Sequence, residues 1–313
     1  MGFFDIPVET TIEHPDCSIV VGNCLDILPT LAASSAQSCV TSPPYFGLRD
    51  YGVDGQIGLE PSPDEYVAEL VKVFRGVWRV LRDDGTLWLN LGDSYCTTAP
   101  GSIVDPAKMT GIHVHKGAYR RPETPPGLKP KDLIGIPWRV AFALQADGWY
   151  LRSGIVWNKL NPMPESATDR PTSSYEMVFL MSKAVQYYYD AAAIAELSVD
   201  EGRPSGPKSD PSRNDGNRTG IIKGNGATRN ARNVWTISTL PYDGAHFAVM
   251  PPALAGRCIK AGSRPGDLIL DPFGGAATTG LAAAQLGRKA MLIELNPASA
   301  KLGRERVARE LYR

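Results

Sequence analysis

The sequence predicts an α/β fold: a mainly parallel sheet with helices on both faces, plus an inserted loop-rich region. Three observations carry this. Short apolar strands alternate with amphipathic helices along the 313 residues, the pattern of a parallel sheet covered on both sides. Two of those strands run straight into turns of unusual composition, Thr41-Ser42-Pro43-Pro44-Tyr45 and Asp271-Pro272-Phe273-Gly274-Gly275-Ala276-Ala277-Thr278-Thr279-Gly280. Two stretches, 96–131 and 198–232, are rich in Gly, Pro, Ser, Asn and basic residues and interrupt the alternation.

In order, Ser18 to Val21 reads as a strand and Leu25 to Leu31 as a short helix. Ser38 to Thr41 is a second strand ending at the Pro-Pro turn. A residue before proline avoids the helical region, so Ser42 and Pro43 are expected to be extended or turn-like. Asp64 to Leu81 has helical spacing, with Tyr66, Val67, Leu70, Val71, Phe74, Val77, Trp78 and Leu81 apolar. Asp83-Asp84-Gly85 closes it, and Thr86 to Leu91 reads as a buried strand. Ile136 to Asp147 is a helix with Pro137 tolerated in its first turn. Leu151 to Trp157 and Glu176 to Ser182 are further strands. Leu268 to Asp271 is a strand, a helix starts at Thr278, and Met291 to Ile293 is the next strand. Glu294 ends it, 23 residues after Asp271.

Composition narrows the function. A hydrophobic content of 43% suits a soluble globular protein, and the reading is a single domain over residues 1–313. No apolar stretch approaches the roughly 20 residues of a membrane span, and no signal peptide is read at the N-terminus. Five cysteines without a CxxC pair favour reduced thiols in the cytoplasm. His113 and His115 lack further ligands, so no metal site is expected. The 33 basic and 33 acidic side chains balance, which counts mildly against a nucleic-acid binder. Locally the balance shifts: 101–131 carries 6 − 2 = +4 and 198–232 carries 7 − 4 = +3. Loops this long are usually functional or disordered.

The late turn has the logic of a nucleotide site at the carboxyl edge of a parallel sheet. A glycine turn allows close ligand approach, and an acid about 20 residues on meets ribose hydroxyls. The acid at the loop itself, Asp271, suits a cation, such as the ammonium or sulfonium side of S-adenosylmethionine. Phe273 would pack on that ligand. The early turn suits an exocyclic amine, a poor nucleophile because its lone pair is delocalised into the ring. The Ser42 oxygen and the Pro43 carbonyl would accept its two N–H groups, with stiff prolines fixing the carbonyl. Tyr45 would stack on a base that has left its helix, since the reacting atom is otherwise inaccessible. Nitrogen would then attack the methyl group in line.

With these residues in place, the chain resembles the amino-methylating DNA methyltransferases, in the permuted arrangement where the catalytic turn precedes the cofactor loop. The resemblance runs from about Ser18 to the end. Val21-Gly22-Asn23-Cys24-Leu25 looks like the adenine-contacting segment. His246-Phe247-Ala248-Val249-Met250-Pro251, before a helix from Pro252 to Ala261, looks like the segment preceding the cofactor loop. Ile155 to Lys159 and Ser174-Tyr175-Glu176 look like motifs beside the target-base pocket. The resemblance implies a Rossmann-like fold using S-adenosylmethionine. It implies Ser42, Pro43, Pro44 and Tyr45 at the base. It implies Asn23, Cys24, Phe247, Ala248, Asp271, Pro272, Phe273, Gly275, Thr278, Thr279 and Glu294 at the cofactor.

Residues 198–232 become the candidate target-recognition region and 96–131 a candidate DNA-contacting loop. Double-stranded DNA is the expected substrate, with a cognate restriction endonuclease as a further partner and a monomer or homodimer as the assembly.

The chain departs from the family at two positions. Asn23 stands where an acid is usual, and its amide oxygen is expected to accept from an adenine amino group. Ala277 stands where glycine is frequent, so its backbone is expected to avoid positive φ. Among relatives, serine before Pro-Pro-Tyr goes mostly with N4 of cytosine and aspartate with N6 of adenine, so cytosine is favoured. C5 methylation is disfavoured, because none of the cysteines follows a proline. RNA or protein-glutamine methylation and a non-catalytic DNA-binding module are more remote readings.

Overall fold

The computed structural model describes residues 16–48, 52–97, 103–104, 119–120, 124–197, 228–239 and 250–311. Its central sheet is built from β1 (Cys17–Val21), β2 (Ala36–Thr41), β3 (Leu81–Leu91), β6 (Tyr150–Asn158), β7 (Tyr175–Ser182), β10 (Val234–Thr236), β11 (Leu268–Asp271) and β12 (Lys289–Glu294). The eight strands lie in the order β1-β12-β11-β2-β3-β7-β6-β10. Pairings from β1 through β3 are parallel, as is β6 with β10; β7 runs antiparallel to both neighbours. The sheet is therefore mainly parallel, as expected.

Alternation along each strand divides the core in two, because successive side chains point to opposite faces. Val20, Leu87, Leu89, Leu270, Met291 and Ile293 face one way. They pack against α1 (Cys24–Ile27), α2 (Pro63–Val80) and α3 (Ile136–Ala146). Ile19, Val40, Trp88, Ile269 and Leu292 face the other way. There they meet α4 (Pro252–Gly262), α5 (Thr278–Gln285) and α6 (Pro297–Leu311). The α2 helix starts as its sequence dictates: Ser62 caps it by accepting from the Glu65 N–H at 3.2 Å, and Pro63 occupies the first turn.

Several boundaries differ from expectation. Helix α2 stops at Val80, and Asp83-Asp84-Gly85 lies inside β3 as an irregularity, between the Ala36–Leu81 and Ser38–Thr86 pairs. Leu25 to Leu31 divides into α1 and a 3₁₀ turn at Leu28–Thr30, with proline at its second position. The long loops contain short antiparallel ribbons where described. One pairs β4 (Ile103–Val104) with β5 (Tyr119–Arg120); the other pairs β8 (Glu196–Leu197) with β9 (Thr228–Arg229). Strand β10 and helix α6 carry too little apolar periodicity to be read from sequence. Helix α6 is mostly polar and is held by a few small and aliphatic contacts, Ala300 and Val307 among them.

The parallel order has one consequence for chemistry. The carboxyl ends of β1, β12, β11, β2 and β3 share one edge. Because β7 is reversed, its start faces that edge too, as does the end of β6: Leu91 pairs with Met177 and Asn158 with Tyr175. This is the edge where open α/β sheets bind ligands.

Candidate active site

The two turns, 230 residues apart in sequence, meet at adjacent strand ends. Thr41 Oγ1 donates to Asp271 Oδ1 at 2.6 Å in a buried hydrogen bond. The same oxygen accepts the Phe273 N–H at 3.0 Å, which shapes the loop after β11. Above this junction opens a cleft with about 1200 Å³ of free space, its mouth included. It is lined by Ser42, Pro43, Pro44 and Tyr45 after β2, by Asp271, Pro272, Phe273, Gly275, Thr278 and Thr279 after β11, and by Asn23, Cys24 and Glu294 at the ends of β1 and β12.

Two buried acids mark the floor. Burial pushes the Asp271 carboxyl above its ordinary range, partly offset by hydrogen bonds from Thr41, Thr279 and the Phe273 N–H. Burial also raises Glu294, against N–H donors from Asn296 at 2.8 Å and Gly275 at 2.7 Å. Both acids would gain from a cation or from hydroxyl donors in the cleft. A side chain at Gly274 would be tight: its Cβ would lie 3.0 Å from the Leu292 Cβ. Gly275 sits at φ +50°, a conformation glycine adopts freely.

These features decide the family. Residues 36–305 match the N6/N4 methyltransferase family model, described as DNA methylase. The chain is a DNA methyltransferase of the amino-methylating N4/N6 family. The Type II methyltransferase M.SmaI of Serratia marcescens is 48% identical over 293 residues, 94% of this chain and 91% of that protein. M.Cfr9I of Citrobacter freundii, also a Type II methyltransferase, is 46% identical over 290 residues, covering 91% and 86%. Among solved structures, the PvuII DNA methyltransferase (cytosine-N4-specific) aligns with a TM-score of 0.61 and 18% identity over 95% of this chain and 92% of that one. A putative DNA modification methylase of Thermus thermophilus, TTHA0409, solved with S-adenosyl-L-methionine, aligns with a TM-score of 0.58 and 23% identity, covering 93% of each. The fold is the Rossmann-like one of S-adenosylmethionine-dependent methyltransferases, and S-adenosylmethionine is the methyl donor of the family.

In the methyltransferase the Ser42–Tyr45 turn is held from several sides. Tyr66 of α2 donates its phenol to the Pro44 carbonyl at 2.8 Å. Ser42 Oγ donates to the Tyr45 hydroxyl at 3.3 Å, and that hydroxyl donates to Glu176 Oε2 at 2.6 Å. Asn90 Nδ2 reaches the same Glu176 oxygen at 3.0 Å, while Lys159 pairs with Oε1. Burial, then the Glu176 carboxylate, hold the Tyr45 phenol well above its usual range, so it remains a neutral donor. Gly92 makes room for the ring: a Cβ there would lie 2.5 Å from Tyr45 Cε2. Lys159 and Glu176 were legible as members of the two segments that the resemblance sets beside the target base. Asn90, Gly92 and Tyr66 were not, because each does its work through a contact between distant segments.

Other placements refine the sequence reading. Asn23 Oδ1 accepts the Leu25 N–H at 2.9 Å and caps α1, which uses one of the two lone pairs of that oxygen. Ala277 adopts the left-handed conformation, φ 58° and ψ 29°, contrary to expectation. Such a conformation costs alanine roughly 1–2 kcal/mol. Helix α6 supports it. Gly303 leaves space beside the Ala277 methyl, since a Cβ at 303 would lie 3.1 Å from it. Buried Arg306 donates to the Ala276 carbonyl at 3.1 Å and Thr278 Oγ1 at 2.8 Å. The Thr279 hydroxyl lies between two acceptors, the Asp271 carboxylate and the Val40 carbonyl, the latter at 3.2 Å. Phe247, Ala248, His113 and His115 lie outside the described residues, as does most of 198–232 and of 96–131.

The cysteines offer no nucleophile. All five are buried, and burial, with smaller contributions from neighbouring acids, pushes Cys17 and Cys24 up to about 12. Among the described residues no helix is long and apolar enough to cross a membrane.

Proposed function

We propose that this methyltransferase is a site-specific enzyme that modifies N4 of a cytosine flipped out of duplex DNA. The observation that carries the reading is the serine at position 42, set beside Tyr45 in the same cleft as Asp271. Serine before Pro-Pro-Tyr goes mostly with cytosine among relatives. The PvuII enzyme, which shares the fold, is named cytosine-N4-specific.

S-adenosylmethionine supplies a methyl group made electrophilic by its sulfonium. The chain's own residues do the rest. Asp271 attracts the cationic side of the methionine part, and Phe273 packs beside it. Glu294 accepts from ribose hydroxyls; a carboxylate offers about four lone-pair sites, and two N–H donors use only part of them. Cys24, at the start of α1, borders the adenine. Tyr45 stacks on the flipped base, returning roughly 1–3 kcal/mol of the unstacking cost. Ser42 Oγ and the Pro43 carbonyl accept the two amino hydrogens, turning the nitrogen lone pair out of the ring and towards the methyl group.

Residues 198–232 serve as the target-recognition region and 96–131 as a DNA-contacting loop of one domain. The protein works in the cytoplasm, as a monomer or homodimer, and a cognate restriction endonuclease is its counterpart.

Mass spectrometry of nucleosides from a methylation-deficient host expressing the chain tests this. N4-methylcytosine is expected with the wild type and absent with Ser42→Ala. N6-methyladenine in its place would reverse the choice of base while keeping the mechanism.

A further inference from the structure

Methyl transfer to an amine leaves a proton to be removed. The nitrogen lone pair forms the new N–CH₃ bond. The S–CH₃ bond breaks with its electrons kept on sulfur, which becomes neutral. The positive charge moves to nitrogen and is discharged only when one of its protons departs.

The described acids near the cleft differ in their access to that proton. Asp271 Oδ1 is tied to Thr41 and Phe273, and Glu294 accepts the N–H groups of Gly275 and Asn296, both on the cofactor side. Asp93 Oδ1 is spent on the N–H groups of Ser94, Gly135 and Ile136, where it orders the start of α3. Glu176 is different. It is joined to the catalytic turn by a row of hydroxyls whose donors all point one way. Ser42 donates to Tyr45 at 3.3 Å, and Tyr45 donates to Glu176 at 2.6 Å.

We propose that Glu176 is the terminal proton acceptor of the reaction, working through Tyr45 and Ser42; the proposal rests on the amino-methylation reading above. As the nitrogen attacks, its proton passes to Ser42 Oγ. The serine proton moves to the Tyr45 oxygen, and the phenol proton moves to Glu176 Oε2. Each oxygen gains one proton and gives one up, so Ser42 and Tyr45 end as they began. Glu176 ends neutral and returns its proton to solvent, to which it is partly exposed.

The surroundings fit this role. Asn90 and Lys159 both donate to Glu176 and leave Oε2 aimed at the phenol. Lys159 is itself seated over the Trp157 ring, 4.9 Å from its centroid. The high proton affinity of Tyr45 keeps it a carrier rather than a resting anion. The Ser42–Tyr45 link is the longest in the row, and catalytic hydrogen bonds commonly tighten when substrate binds. Glu176 is thus a positioning residue with a proton to receive; it does not touch the base.

Single-turnover methylation of duplex DNA by the full chain tests the relay, with product nucleosides identified and S-adenosylmethionine and DNA affinities measured alongside. Glu176→Gln keeps an acceptor for the phenol but a poor base. It is expected to methylate about 100-fold more slowly, the usual size of general-base effects, with both affinities unchanged. Glu176→Asp should recover part of the rate. Tyr45→Phe removes one oxygen and leaves the Glu176–Lys159 pair in place. It should lose as much as Glu176→Gln, and the double variant should lose no more than either, because both cut the same path.

A wild-type rate in Glu176→Gln, or losses that multiply in the double variant, would overturn the relay. If Glu176→Gln fails to fold, Tyr45→Phe decides: a wild-type rate there overturns the proposal and a loss of about 100-fold upholds it. Absence of any methylated amino base with the wild type would instead remove the reading on which the relay rests.

Discussion

Asp271 is an acid whose ionised form the fold disfavours, and in its proposed place beside the cofactor its proton would report on binding. Burial raises its carboxyl above the ordinary value despite hydrogen bonds that pull the other way. The folded chain thus holds this proton to a higher pH than the unfolded chain does. Its contribution to stability is present below the ordinary carboxylate pKa and falls as pH rises through the raised one. A ligand carrying an ammonium and a sulfonium prefers the ionised form. S-adenosylmethionine affinity should consequently rise with pH through the same window, with proton uptake by buffer on binding, and then level off. Titration calorimetry in buffers of different ionisation enthalpy measures both effects. Asp271→Asn should bind more weakly and lose most of the slope; Glu294, also raised by burial, accounts for the remainder. An unchanged slope in that variant would assign the proton to another group.

At the scale of elements, the loop after β11, the proposed cofactor loop, depends on a helix that its own sequence does not announce. Helix α6 supplies Gly303 against the strained Ala277 and Arg306 against the carbonyl and hydroxyl of the loop. Filling Gly303 with alanine brings a methyl to 3.1 Å from the Ala277 Cβ and 3.2 Å from the Gly275 carbonyl. Overpacking of this kind costs typically about 1–3 kcal/mol. Because the displaced loop is the one proposed to hold the cofactor, Gly303→Ala should weaken S-adenosylmethionine binding about tenfold, while the far side of the sheet keeps its stability. Equilibrium binding together with a thermal melt distinguishes this from global unfolding. The contrast shows what sequence reasoning reaches. Strands β2 and β11, their turns and helix α2 were legible because apolar period and turn chemistry are local signals. So was the pairing of Ser42 with Asp271 in one site, through the resemblance of their motifs. Helix α6, strand β10, the cap made by Asn23 and the left-handed Ala277 were not, since each is settled by contacts that local pattern does not report. Gly92 and Asn90 belong to the same class: nothing near them in sequence says that the distant Tyr45 needs their space or their amide.

Across the whole molecule, a chain of zero net charge has to concentrate its positive surface to hold DNA. The described residues show that not every arginine of the second basic region is available for this. Glu196 pairs with Arg232 at 2.9 Å, Arg257 at 3.1 Å and Arg229 at 3.6 Å, tying down the root of the 198–232 region. Arg257 also lies over the Trp235 ring, 4.5 Å from its centroid. Two of the basic residues counted in that region, Arg229 and Arg232, thus have an acidic partner within the fold. Arg203, Lys208, Arg213 and Arg218 stand in sequence between the two strands of that root. Each phosphate contact adds about −0.9 to the slope of log affinity against log salt concentration on duplex DNA. Replacing those four residues with serine should therefore flatten the slope by up to about 4 × 0.9, and weaken binding most at low salt. Arg232→Ala should change the slope little, yet loosen the root of the region and reduce discrimination between DNA sequences. Fluorescence anisotropy over a salt series, with specific and unrelated duplexes, reads both quantities. If the four-fold variant kept its slope, the phosphates would have to be met elsewhere, and the basic stretch 101–131, with its local excess of +4, would be the surface to neutralise next.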